Sequence, residues 1–240
     1  YWLGGGRYVD GWGMMGASIT YLDQGDQLSS GTGTEDGIEF GSYEFSVNLS
    51  WGFKLAQNWG AGLNVKYIRI ELAPENVTQD GGQGGGAGDA QSFAVDAGVR
   101  GELIDGLWLG AALANLGPDL TFIDADQSDP LPLNGRLGLA YDLYDSQVSR
   151  FTLSGDVLVS LVSEDDTIIY GGGLEWAYSE LLFIWGGYKY DEEGDIKDYT
   201  AGAGVDFGKW IGQPLRFGYA SVPQASGLDR VNRFTLGYSF

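Results

Sequence analysis

Three short clusters of acidic residues are the parts of this sequence whose side chains could bind a metal ion. They lie at Asp124, Asp126 and Asp129, at 164–166, and at 191–195. Oxygen ligands of this kind suit hard cations such as Ca²⁺ and Mg²⁺. None of the clusters has the ligand spacing of an EF-hand loop, and clustered surface acids are usually only solvated. The sequence therefore predicts no metal and no other cofactor, with divalent-cation binding at the clusters as the alternative.

A second chemical possibility is the glycine-rich segment 81–86, which could be compared with a phosphate-binding loop. No Lys-Ser or Lys-Thr pair follows these glycines, and no helix is expected after them. The segment is therefore interpreted as part of a loop over 72–90.

Catalysis is improbable for a chain of this composition. Its 240 residues include no histidine and no cysteine. This removes Ser-His and Cys-His pairs, histidine-based zinc sites and the commonest general base at neutral pH. A net charge of -20 would repel the phosphates of nucleic acids. We predict a protein that is not an enzyme and does not bind nucleic acid.

The chain shows the period-two alternation of β-strands. In the closing segment 230–240, apolar residues alternate with small polar ones, with Phe234, Leu236, Tyr238 and Phe240 on one face. The segment 38–53 alternates in the same way, and its apolar face carries Tyr43, Phe45, Val47, Leu49, Trp51 and Phe53. A strand as long as 38–53 can cross a bilayer at the tilt that strands adopt in barrels.

Applied along the chain, the alternation predicts an all-β protein with about thirteen strands. They cover 1–8, 14–24, 38–53, 60–71, 91–102, 107–115, 133–144, 150–162, 167–178, 181–190, 196–207, 215–221 and 230–240. Single-chain bacterial barrels have even strand numbers, so the complete chain is expected to have fourteen. The sequence begins without an initiator Met, within a strand. We therefore expect residues 1–240 to be one barrel domain that lacks the N-terminal part of the native chain.

The connections alternate between short turns and longer, acidic loops, which distinguishes a membrane barrel from a soluble sandwich. The longest loops are 25–37, 72–90 and 116–132, and they all fall at the same end of the predicted strands. Outer-membrane barrels have short turns at one end and long loops at the other, whereas a soluble sandwich is not expected to confine its long loops to one end. A sandwich would instead bury Phe45, Leu49, Val157 and Leu236 against one another.

Aromatic residues are expected at both ends of the predicted strands, as in a membrane-spanning barrel. The short-turn end would carry Trp51, Phe53, Trp59, Trp108, Tyr141, Phe207, Trp210 and Phe240. The long-loop end would carry Tyr21, Tyr67, Tyr188, Tyr190 and Tyr199. The sequence thus predicts a transmembrane antiparallel β-barrel in the outer membrane of a diderm bacterium, with outer-membrane lipid around it.

Charged residues inside the predicted strands occupy the face opposite the apolar one. They are Glu44, Lys66, Asp96, Arg100, Arg136, Asp142, Asp156, Glu175, Lys189, Asp206 and Arg216. A lysine or arginine facing the middle of the bilayer would cost roughly 2–4 kcal/mol, so these residues are expected to face the lumen. Their mixed signs favour mutual pairing over a ring of one sign, and substrate contact is the alternative.

Two short motifs resemble the PorV/PorQ family of outer-membrane proteins, which is related in fold to the FadL-type barrels. The first is Asn115-Leu116-Gly117-Pro118, and the second runs from Asp129, Pro130 and Pro132 to Asn134, followed by Arg136-Leu137-Gly138-Leu139-Ala140-Tyr141. The resemblance implies a fourteen-stranded barrel. It also implies a role beside the type IX secretion machinery, where members escort or anchor exported proteins.

Three functions follow as hypotheses. The first is a PorV/PorQ-like accessory of protein export or cell-surface attachment, which would have envelope or secreted proteins as partners and act through its outer loops. The second is a FadL-like conduit for hydrophobic or small solutes, suggested by the fold relation and by inward Trp108, Phe183 and Trp185. The third is a structural barrel within a larger envelope complex.

Overall fold

The computed structural model describes residues 1–29, 38–73, 88–122, 128–163, 165–208, 212 and 214–239. Several residues discussed above lie outside this part of the chain, namely 81–86, Asp124, Asp126, Glu164, Trp210 and Phe240. In the described part, no helix has the length and apolarity needed to cross a membrane.

In the part of the chain that the structure describes, the regular structure comprises fifteen β-strands. They are β1 (Trp2–Val9), β2 (Gly13–Ser29), β3 (Ile38–Ala56), β4 (Trp59–Ala73), β5 (Gly88–Ile104), β6 (Leu107–Leu116), β7 (Leu120–Thr121), β8 (Ser128–Asp129), β9 (Asn134–Asp145), β10 (Ser149–Ser160), β11 (Ile168–Tyr178), β12 (Leu182–Asp191), β13 (Ile196–Asp206), β14 (Leu215–Val222) and β15 (Val231–Tyr238). The predicted all-β class is confirmed.

Thirteen of the strands form a single sheet, in the order β1 to β6 followed by β9 to β15. This agrees with the thirteen strands predicted from the alternation. The short strands β7 and β8 pair with each other, in a separate two-stranded sheet. They lie within 116–132, which the sequence predicted to be a loop, so that prediction was wrong for this hairpin.

The second strand is longer than predicted, because β2 continues to Ser29 rather than ending at residue 24. Its pairing with β3 shifts register between Asp23 and Asp26. Gly25 has φ +80° at this bulge, and its amide donates a hydrogen bond of 2.9 Å to Asp23 Oδ1. A bulge adds a residue to one strand and interrupts the alternation, which explains why the pattern indicated an early end.

The chain divides into two compact units. Unit 1 comprises Tyr1–Val99 and Ala112–Leu133, and unit 2 comprises Arg100–Ala111 and Asn134–Phe240.

In unit 1, the register of β2, β3 and β4 separates an apolar face from a polar face. Val47 lies opposite Ile19 and Tyr67, whereas Asn48 lies opposite Ser18 and Lys66. Side chains of paired residues point to the same side of a sheet, so the two sets lie on opposite faces. The apolar side chains are largely exposed, with 63% of Leu49 accessible.

Aromatic rings mark both ends of the apolar face of unit 1. At one end, Trp51 packs against Phe53 with ring centroids 4.5 Å apart and donates a hydrogen bond of 2.6 Å to Trp12 O. At the other end, Tyr43 stacks on Tyr21 at 5.9 Å. Trp51 and Tyr43 are eight residues apart on β3. This spacing corresponds to about 20 Å along the membrane normal, close to the ~25 Å apolar band of outer-membrane barrels.

Unit 2 has the same two-faced character. On its apolar face, Phe234 contacts Phe217 and Tyr219, and 72% of Leu236 is exposed. Its polar face is the one that carries Asp156. Gly138 and Gly171 lie opposite Asp156 on the neighbouring strands and belong to the same face.

Few apolar side chains are buried in the described residues: Ala90, Ala94, Leu120, Leu131 and Ala177. Phe45 and Val157 are half-buried, while Leu49 and Leu236 are exposed. The four side chains that a soluble sandwich would bury are therefore not a core. Exposed apolar surface of this extent requires a lipid or protein partner.

Candidate functional site

The carboxylate of Asp96 in unit 1 has three polar partners, Lys66, Asn115 and Asn64. Its Oδ1 lies 2.7 Å from Lys66 Nζ and accepts a hydrogen bond of 2.8 Å from the backbone N–H of Asn115. Its Oδ2 accepts a hydrogen bond of 2.9 Å from Asn64 Nδ2. Only 15% of the Lys66 side chain and 26% of the Asp96 side chain are accessible. This partly buried pair is stabilised by the hydrogen bonds that both carboxylate oxygens accept.

Asn115 links the Lys66–Asp96 pair to the connection between β6 and β9. Lys66 Nζ also donates to Asn115 Oδ1, and Asn115 Nδ2 donates a hydrogen bond of 2.9 Å to Pro132 O. Asn115 has φ +66°, a left-handed conformation that asparagine tolerates better than most residues. One asparagine therefore ties the start of the connection to its end.

The same connection approaches β5 closely at Gly117 and Pro118. Ser92 Oγ donates a hydrogen bond of 2.7 Å to Pro118 O. A Cβ added at Gly117 would lie 2.0 Å from Phe93 O and 3.1 Å from Ala94 Cα. Only glycine fits this approach without moving the backbone.

Apolar side chains complete the attachment of this connection. Leu120 and Leu131 are buried in one cluster with Ala90 and Ala94 of β5, and Ile68, Ile70 and Phe122 pack against it. Ile68 and Ile70 continue the face of β4 that carries Lys66. Likewise, Ala90 and Ala94 continue the face of β5 that carries Asp96. The connection therefore lies on the polar face of unit 1.

The motif residues singled out in the sequence meet at this attachment in part. Asn115, Gly117, Pro118 and Pro132 lie within it. Asp129 pairs with Leu120 in the β7–β8 hairpin and is exposed, as is Pro130. Asn134 begins β9 and pairs with Ser160. No local pattern indicated that Lys66, Asp96 and Ser92 would contact the motif. Lys66 is 49 positions from Asn115 in the chain, and Ser92 is 26 positions from Pro118.

Most of the other charged residues that the sequence predicts to face the lumen also have polar or ring partners. Arg136 pairs with Asp156 at 2.9 Å, Arg216 pairs with Asp206, and Lys189 pairs with Asp191 at 3.1 Å. Asp142 accepts a hydrogen bond of 2.6 Å from Thr152, Glu44 accepts one of 2.8 Å from Gln24, and Arg100 lies over Trp108 at 5.1 Å. Glu175 lies opposite Thr152 and Trp185 in the register.

A feature of unit 2 that sequence reasoning missed is the glycine surface beneath Trp185. Trp185 lies opposite Gly202, and a Cβ at Gly202 would be 2.1 Å from the indole Nε1. At Gly204 a Cβ would be 3.2 Å from the ring. The indole therefore lies against the backbone of β13 and is half-buried. The sequence signal that could have indicated this packing is the pair of alternate glycines, Gly202 and Gly204, on the strand next to Trp185.

We expect Gly202→Val to lower the free energy of unfolding by about 1–3 kcal/mol, because its side chain must displace the indole and also meets Tyr219 O at 2.5 Å. Gly186→Val, on the neighbouring strand, is the matched control. A Cβ there meets only Thr200 O, at 3.9 Å, so its effect should stay within about 0.5 kcal/mol. Urea titration followed by near-UV circular dichroism measures both. Equal effects of the two variants would refute the packing of Trp185 on β13.

Two of the described acidic residues, Asp165 and Asp191, accept hydrogen bonds within their own turns. Asp165 accepts hydrogen bonds from Thr167 N at 3.0 Å and Thr167 Oγ1 at 2.6 Å. Hydrogen bonds from Ser160 and Thr167 lower the pKa of the Asp165 carboxyl. Asp191 Oδ1 accepts a hydrogen bond of 2.9 Å from the backbone amide of Gly194. In the described part of the chain, no group of three or more acidic residues is arranged to hold a metal ion.

Comparison with known proteins gives one family match. The profile of the family described as "Type IX secretion system protein PorV" matches residues 7–165. No curated protein matches the sequence significantly.

Solved structures of bacterial hydrocarbon transporters are similar in fold. The toluene transporter TodX of Pseudomonas putida is 16% identical, with a TM-score of 0.57 over 92% of this chain and 75% of TodX. The toluene transporter TbuX of Ralstonia pickettii is 15% identical, with a TM-score of 0.55 over 93% of this chain and 76% of TbuX. A TodX variant described as a monoaromatic hydrocarbon channel gives 0.59 at 15% identity, over 98% of this chain and 80% of that one.

These likenesses establish the fold. The chain is a FadL-type antiparallel β-barrel. The family match adds its location, which is the outer membrane. The fold class and location predicted from the sequence are confirmed.

Proposed function

The chain belongs to the PorV family, and from this membership we propose that it is a non-enzymatic accessory of protein export or of cell-surface attachment. In that role its partners are other envelope proteins and exported proteins, and no catalytic step is needed. The observation that carries the proposal is the family match over residues 7–165.

We further propose that the polar faces of both units line the lumen, with the eleven charged strand residues pointing into it. The exposed apolar side chains of the opposite faces, such as Leu49 and Leu236, support this orientation because they would meet lipid. Pairing such as Lys66–Asp96 and Arg136–Asp156 leaves these charges partnered by the protein. An accessory that acts on proteins at the rim needs no single-sign charge ring inside.

A genetic test in a diderm bacterium that has the type IX system checks the export role. Without the chain, exported proteins should accumulate in the periplasm and disappear from the cell surface. Restoring the wild-type chain, or the Asp156→Asn variant of an exposed ion pair, should restore both. Normal export in the absence of the chain would refute the proposal. If export is normal but the barrel co-purifies stoichiometrically with envelope proteins, the structural role is supported instead.

The second candidate is a conduit for small apolar solutes. It is supported by the likeness in fold to the toluene transporters and by the half-buried indole of Trp185 on the polar face of β12. An apolar ring on this face could contact a passing solute. A conduit must have a lumen open to solutes, and this requirement separates the second candidate from the first in the experiment described next.

A further inference from the structure

The connection between β6 and β9 lies against the polar face of β4 and β5. We use the name strap for residues 115–122 and 128–133, which are the last two residues of β6 and the described part of the connection. In a FadL-type barrel the strands enclose a lumen, and the polar face is the one we propose to line it. The strap therefore occupies space that an unobstructed lumen would leave to water.

Three independent kinds of contact hold the strap in this position. Lys66 and Asp96 bind Asn115, and Ser92 binds Pro118 O at 2.7 Å. Leu120 and Leu131 are buried against Ala90 and Ala94. Gly117 lies so close to the β5 backbone that no side chain fits between them.

The contacts differ from those of a surface loop. Loops usually run over the protein surface and expose their side chains. Here Leu131 is 4% exposed and Leu120 is 6% exposed, although both belong to a connection rich in proline and aspartate. Removing the strap would also leave Ile68 and Ile70 as apolar surface inside the barrel, and would leave the charge of Lys66 without Asn115.

We infer that the strap is a fixed constriction of the lumen, which Lys66, Asp96 and Gly117 retain on the polar face and which restricts the passage of solutes through the barrel. The inference is independent of the proposed export role, because it concerns permeability and not partners.

The test uses the full chain, folded in detergent and reconstituted in planar bilayers. Two variants release the strap: Lys66→Met removes the cation that binds Asn115, and Gly117→Val forces the connection away from β5. Lys189→Met is the matched control, because it also removes a polar-face lysine, one paired with Asp191 in unit 2. The chain has no cysteine, so Leu131→Cys in each background reports strap position through maleimide labelling.

In the otherwise wild-type chain, we expect the introduced thiol to be protected and the conductance to be low. Lys66→Met and Gly117→Val should raise the labelling rate by about tenfold or more, as in local opening, and should raise conductance severalfold. Lys189→Met should behave like the wild type in labelling, with no comparable rise in conductance. Heat-dependent electrophoretic mobility shows which variants have folded.

Several results would overturn the inference. High conductance of the wild-type chain, or rapid labelling of Leu131→Cys alone, would overturn it, and neither measurement requires the strap variants to fold. High conductance of the wild-type chain would also favour the conduit. Protection retained in both folded variants would show that these residues do not hold the strap. Rapid labelling without a rise in conductance would show that the strap does not restrict passage. None of these results bears on the export assay.

Discussion

Replacing Ile19 by arginine should destabilise the folded barrel by about 2–4 kcal/mol, because the charge would face the middle of the bilayer. Ile19 belongs to the apolar face and lies opposite Val47, which is halfway between Trp51 and Tyr43 on β3. Its side chain is 49% exposed, so no protein group shields a charge placed there. Equilibrium unfolding by urea in phospholipid vesicles measures the loss.

The adjacent residue provides the control for this prediction. Thr20 points to the polar face, opposite Ser46 and Trp2. Thr20→Arg should change the free energy of unfolding by less than about 1 kcal/mol, because an exposed polar-face position remains hydrated. If Thr20→Arg were the more damaging of the two, the assignment of the faces to lipid and lumen would be reversed.

The second large effect is expected for Asp96→Asn, at about 2–4 kcal/mol of lost stability. The carboxylate of Asp96 accepts hydrogen bonds from Asn64 and Asn115 and pairs with Lys66. An asparagine has a single acceptor oxygen, so at least one donor loses its partner. The largely buried ammonium of Lys66 also loses its counter-charge. Urea titration again measures the change.

Two comparisons identify the cause of the Asp96→Asn effect. Asp156→Asn breaks a pair whose arginine is 57% exposed, and should cost less than about 1 kcal/mol. The double variant Lys66→Met/Asp96→Asn should be more stable than Asp96→Asn alone, because it removes the unpaired charge. A double variant less stable than the single variant would argue that Lys66 contributes through other contacts.

The strands and their faces could be predicted from the sequence because they depend on local alternation. Val47, Leu49 and Trp51 alternate with polar residues along β3, and a sheet with one apolar face requires this pattern. The end of β2 could not be placed, because the bulge at Gly25 interrupts the period that identifies a strand.

The strap could not be predicted because its contacts join residues that are distant in the chain. Lys66 and Asn115 are 49 positions apart, and no local pattern links them. Proline and aspartate around Leu120 and Leu131 are typical of an exposed loop. The one local signal was the presence of Leu120, Phe122 and Leu131 in a stretch that a solvated loop would have kept polar.

The position of Asn115 also constrains the order in which the chain folds. Its partners Lys66 and Asp96 come from two strands that precede it, and Pro132 follows it. The closure of a segment onto distant partners has an entropic cost that is offset only when those partners are already in place. We therefore expect the strap to dock only after β4 and β5 have paired, so that a hydrogen-bonded Asp96 carboxylate would report the formation of this part of the sheet.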